Sequence, residues 1–111
     1  MTKHMAVVLS ESVEGREVEF NEWYENTHIR EALESTGWKN AQRFVLTAEK
    51  GPKCPLRHLA LYEAEAGSGE DVVAKLDATR NQREQSGSFN RKRAGLWAFS
   101  ATGPKHERGS D

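Results

Sequence analysis

A single cysteine, Cys54, stands among 111 residues, so no intramolecular disulfide can staple this chain. One thiol fits a reducing compartment, and a cytoplasmic setting is the expectation. Proline is scarce: three residues, of which Pro52 and Pro55 share one segment. An excess of one charge is missing too. Sixteen Lys and Arg against 17 Asp and Glu leave a net charge of −1, with the two signs interspersed. Without a basic stripe for phosphates, nucleic acid is not an expected partner. Long apolar runs are also absent. The run Met5 to Leu9 is far below the ~20 residues that span a bilayer, and it lacks the basic leader and length of a secretory segment. No membrane association is expected.

Signatures of metal and nucleotide chemistry are equally thin. His4, His28, His58 and His106 share no ligand spacing, and Cys54 sits alone in a turn. Gly67-Ser68-Gly69 lacks the further glycines and the lysine of a phosphate loop, and no Gly-x-Ser-x-Gly elbow occurs. Neither a metal nor a cofactor is expected.

What is present has the size of one domain. Residues 1–103 read as that domain and 104–111 as a flexible polar C-terminal tail. Apolar residues make up 36% of the chain and charged ones 30%. A chain this short buries a small share of its surface, so pairing with a second copy is a natural remedy. Residues 4–10 read as a first strand, short and β-branched in the middle. Residues 17–34 hold no Gly or Pro and read as a helix, which Thr36-Gly37 stops with a left-handed cap. Residues 39–48 and 56–63 form a hairpin around Gly51-Pro52 and Pro55. Ser68 or Gly69 caps a second helix over 70–82, with two acids in its first turn. Residues 93–102 complete the set. The order β-α-β-β-α-β predicts a ferredoxin-like α+β fold: a four-stranded antiparallel sheet with two helices on one face.

Both faces of that sheet are apolar in sequence. Met5, Val7 and Leu9 alternate with Ala6 and Val8; Leu59 and Leu61 with Ala60 and Tyr62; Trp97 and Phe99 with Leu96 and Ala98. Helices cover one face only, so the other is expected to meet a second copy in a homodimer. In the first helix Phe20, Tyr24 and His28 fall in a sector of roughly 80°, flanked by Trp23 and Thr27. Val18, Ile29 and Leu33 form another apolar patch on the far side, so the stripe is not clean.

The stretch EFNEWYENTHIREALESTGWKNAQRFVL resembles the dimeric α+β barrel superfamily, above all its EthD-like branch. The matching residues are the aromatic pair Trp23-Tyr24, His28 four residues on, the turn Gly37-Trp38 and the strand pair Arg43-Phe44. HLALYE with Tyr62 and the closing GLWAFSATGP share the likeness, which covers nearly the whole chain except its tail. The resemblance implies a dimeric barrel with a small-molecule pocket. It does not choose among cofactorless oxygenases, cyclases, decarboxylases, isomerases and members without chemistry, since fold does not fix function.

Within that frame His28 is the candidate proton carrier, because an imidazole titrates near neutral pH. Tyr24 is its candidate hydrogen-bond donor to an oxygen that gains charge. Both types also serve as plain core residues. Trp23, Tyr62 and Trp97 are candidates to wall a cavity for a flat aromatic or polyketide-like substrate. Arg43 is a candidate for a substrate carboxylate or carbonyl, though an ion pair with a helix or with the partner chain suits it better. Glu31, one turn beyond His28, is placed to orient its ring. The expected function is cofactor-independent proton transfer of the cyclase, dehydratase, decarboxylase or isomerase type. A cofactorless monooxygenase and a non-catalytic dimeric binder or accessory protein are the alternatives.

Overall fold

Four runs of alternating apolar residues become four antiparallel strands in the computed structural model, which describes residues 2–109. They are β1 (Thr2–Ser12), β2 (Asn40–Val45), β3 (His58–Ala66) and β4 (Phe89–Ser100), lying in the spatial order β2-β3-β1-β4. After β1, α1 (Glu17–Trp23), a π-helical turn (Tyr24–His28) and α2 (Ile29–Thr36) run on as one rod. After β3 comes α3 (Gly69–Ala78), followed by a 3₁₀ turn at Arg80–Gln82. The chain is therefore a ferredoxin-like βαββαβ domain, with its helices packed on one side of the sheet.

The helix ends follow the local chemistry. Gly37 adopts φ 74°, a left-handed conformation that costs glycine nothing, and its N–H donates to the Leu33 carbonyl at 2.8 Å. Ser68 is the N-cap of α3; its hydroxyl accepts from Asp71 N at 3.1 Å. Several element bounds differ from the sequence expectation: β2 ends at Val45 rather than 48, β3 runs over His58–Ala66 rather than 56–63, and α3 and β4 differ as well. The α3 helix stops at Ala78, because the next residue, Thr79, leaves helical geometry at φ −102° and ψ 5°. The last strand begins at Phe89, four residues early, because a bulge between Ser10 and Ser12 lets Ser12 pair with Phe89. Of the polar C-terminal stretch, residues 104–109 are exposed and carry no helix or strand; 110 and 111 lie outside the described residues.

Register decides which side chains meet the helices. Ala6 pairs with Tyr62 on one side and Ala98 on the other, and Ala6 and Tyr62 are buried beneath the helices. Small residues at 6, 60, 64 and 98 keep this floor low. Phe20, Tyr24, Trp38 and Tyr62 fill the space above it. One step along each strand, the residues face away. Val7 pairs with Leu61 and Trp97, Leu9 with Leu59, and Met5 with Phe99. Trp97 is 46% exposed and Phe99 60% on this outer face, and among the described residues no element covers it. Among the described residues, no helix is long and apolar enough to cross a membrane.

Candidate active site

The rod that follows β1 is built on two apolar stripes that a regular α-helix could not bring together. At 100° per residue, Phe20 and Ala32 would stand about 120° apart. The π turn takes up one extra residue: the N–H of Ile29 reaches back five residues to the Tyr24 carbonyl. With that residue absorbed, the angle falls to about 20°. Phe20, Tyr24, Ala32 and Thr36 then all face the sheet, and Ile29 and Leu33 pack at its margin. Val18, upstream of the turn, stays 73% exposed.

The wide turn also brings residues five apart alongside one another. The Trp23 indole stacks on the His28 imidazole, with centroids 4.5 Å apart and planes at 26°. Tyr24 meets the same imidazole edge-on at 4.8 Å. Trp23 Nε1 donates to the Glu84 carbonyl at 3.2 Å, and Glu31 accepts from Glu84 N at 2.7 Å. Together they pin the chain after α3 across the helix. Glu31 is thus engaged with backbone and does not hydrogen-bond the His28 ring.

Between sheet and helices lies a cavity of about 370 Å³. Tyr24, His28 and Tyr62 line it, together with Val8, Leu76, Phe89, Leu96 and the guanidinium-bearing Arg80, Arg83 and Arg91. The volume is in the range of small-molecule sites. Tyr24 is 1% exposed, yet among the described residues its hydroxyl has no hydrogen-bond partner; the same holds for the buried Nδ1 of His28. Buried polar atoms are nearly always satisfied, so two orphans in one cavity wall are unusual. The Tyr62 phenol is close enough to perturb Tyr24, but no hydrogen bond of acceptable geometry joins the hydroxyls, and Tyr24 Oη stays unpaired.

Burial dominates the electrostatics. It pushes the Tyr24 phenol well above its ordinary 10.0, with a further push from Tyr62, and it raises Tyr62 as well. Both rings therefore hold their protons at neutral pH and can donate them to a hydrogen bond. Burial lowers His28 to about 4, helped by the positive charge of Arg83 and opposed by Glu31. The imidazole is neutral at pH 7, its lone pair free but its protonated form disfavoured by burial and Arg83. With no partner at Nδ1, neither tautomer is locked.

Three of the seven residues singled out in the sequence, Tyr24, His28 and Tyr62, thus meet in one wall, with Trp23 behind His28. Arg43 lies outside it. Its guanidinium sits 4.7 Å from the Tyr24 ring centroid, on the side away from the cavity, held by Asn21 Oδ1 at 2.7 Å and Glu25 at 3.3 Å. It borders a separate, open hollow of about 360 Å³ lined with Glu17 and Glu25. Trp97 is corrected outright. Its neighbours Leu96 and Ala98 face the helices, so alternation sends the indole to the opposite face, where it lies over Gly95. A β-carbon at Gly95 would come within 2.6 Å of that ring. His4 is structural, bonded to Ser100 Oγ at 2.7 Å and the Ala66 carbonyl at 3.2 Å.

The arginines and Phe89 were not singled out. Arg80 and Arg83 stand three apart at a helix end, but 16 basic residues in the chain rob that spacing of any signal. Among the described residues, no group of three His, Cys, Asp or Glu could hold a metal ion. No family model, curated protein or solved structure matches the chain.

Proposed function

We propose that the chain acts as a homodimer and that its cavity carries out cofactor-independent proton transfer on a small, oxygenated, aromatic or polyketide-like molecule. The observation that carries this reading is the pair of buried, unpartnered groups, Tyr24 Oη and His28 Nδ1, in one cavity wall. The neutral imidazole removes a proton from an acidic C–H or O–H. The phenol donates a hydrogen bond to the oxygen on which charge develops, and the imidazolium returns the proton at another atom. Cyclisation, dehydration, decarboxylation and isomerisation all use this step. The uncovered apolar outer face, with Trp97 and Phe99 at its edge, supports sheet-to-sheet pairing of two copies, as does the resemblance to EthD-like proteins.

Deuterium uptake tests the chemistry without knowledge of the natural substrate. Aryl 1,3-diketones in D₂O, followed by proton NMR, should exchange their acidic C–H faster with wild-type protein. His28→Gln should lower that acceleration by roughly 10² to 10⁴-fold. Binding without acceleration would make the protein a ligand-binding module instead. No response from any probe, by the protein or by the probe, would end the pocket reading.

A further inference from the structure

Arg83 is a cation in the wrong place for a surface residue. It is 8% exposed, and among the described residues its guanidinium makes no salt bridge. Its hydrogen bonds go to neutral oxygens only. Nη1 donates to Ser35 Oγ at 3.0 Å and Thr79 Oγ1 at 2.7 Å, and Nη2 to the Leu76 carbonyl at 2.7 Å. These contacts tie the group to the C-terminal end of α3, whose carbonyls carry partial negative charge. That accounts for its position and offsets part of its charge. It leaves Nε–H and one Nη2–H of the five guanidinium donors unspent, and a positive charge that no carboxylate pairs directly, with Glu31 and Asp77 offsetting part of it from farther away. A buried charge is ordinarily paired. Arg83 also lines the cavity that holds Tyr24, His28 and Tyr62. Arg80 and Arg91 add positive charge at its rim, against a single acid, Asp77.

We infer that the ligand of this cavity is an anion, a carboxylate-bearing aromatic or polyketide-like molecule whose carboxylate pairs with Arg83 beneath α3. The inference rests on the proposed proton-transfer site and narrows its substrate class. A carboxylate accepts the two spare N–H groups side by side, the geometry in which a guanidinium binds best. The ring or chain beyond it then extends along Val8, Leu96 and Phe89 toward His28. Seating the anion has an electrostatic consequence for the base. The charged groups that act on His28 are Arg83 and Arg43, which disfavour its protonation, and Glu31, which favours it. Cancelling the Arg83 charge strengthens the imidazole as a base only while ligand is bound.

A matched pair of probes separates charge from shape: 1-hydroxy-2-naphthoate and 1-hydroxy-2-naphthamide, titrated into the full chain by calorimetry with the imidazole signals followed by NMR. Wild type should prefer the naphthoate by about 10- to 100-fold, the scale of a charge-assisted hydrogen-bonded contact. Added NaCl should erode that preference, and the His28 imidazole should titrate at higher pH in the naphthoate complex. Arg83→Gln should abolish the preference and Arg83→Lys should keep part of it. If Arg83→Gln does not fold, the lysine variant and the salt dependence of wild type decide. Equal affinity for both probes overturns the carboxylate inference and leaves proton transfer standing. A preference that survives Arg83→Gln overturns the assignment to Arg83. Naphthoate binding in a protein that never accelerates exchange leaves the anion site and removes the enzyme. Binding of neither probe removes both.

Discussion

Protonation of His28 can be read directly as stability. An unfolded imidazole titrates near 6.5, whereas the folded one is lowered to about 4, mainly by burial. Between those pH values the unfolded chain takes up a proton that the folded chain refuses. The folded state is therefore at its best, as far as this group is concerned, above about pH 6.5. It loses ground as pH falls toward 4, and below that the loss stops growing because both states are protonated. At about 1.4 kcal/mol per pH unit, the whole window is worth about 3 kcal/mol. Carboxylates and His58, which burial also lowers, titrate nearby, so the contrast must be made against a variant. Urea unfolding of wild type and His28→Gln at pH 7, 6, 5 and 4.5 isolates it. Wild type should lose about 2–3 kcal/mol more than the variant across that range. An imidazole NMR titration with a midpoint near 6.5, or parallel pH profiles for the two proteins, would show a hydrated ring and refute the buried-base argument.

Other outcomes follow from the same geometry. Tyr24→Phe removes a buried hydroxyl that has no partner, so thermal or urea unfolding should show no loss of stability and a gain of up to about 1 kcal/mol. The same variant should lose diketone exchange activity. Phe99→Glu places a charge on the uncovered face; sedimentation should report one 12.5 kDa chain where wild type reports two. A monomeric wild type would refute the pairing. Gly95→Ala should weaken the dimer, because the new methyl displaces the Trp97 ring on the outer face; sedimentation checks it.

The strands, the hairpin and both caps were legible because each rests on a local rule: alternation, a Gly-Pro turn, a serine or glycine at a helix end. The two unmatched stripes of the first helix were legible as well, but not their resolution. No side chain announces a π turn; it appears only where both Phe20 and Ala32 must reach the same sheet. Trp97 failed for a different reason. Alternation shows that Trp97 and Ala98 face opposite ways, while only the pairing of Ala98 with buried Ala6 shows which way is in. Arg83 was out of reach, since its meaning comes from burial and from partners 4 to 48 positions away in sequence.

The π turn is also an insertion, and insertions can be undone. Remove the exposed Asn26 and the rod closes as ordinary α-helix, with eleven steps between the former positions 20 and 32, about three whole turns. Ala32 and Thr36 would still face the sheet, so the domain has no need of the extra residue to fold. Only the stretch from Tyr24 to His28 would tighten, re-aiming the two side chains that have no partners. The Asn26 deletion is thus a built-in control: the shorter chain should keep its architecture by circular dichroism while Tyr24 and His28 no longer share the cavity wall.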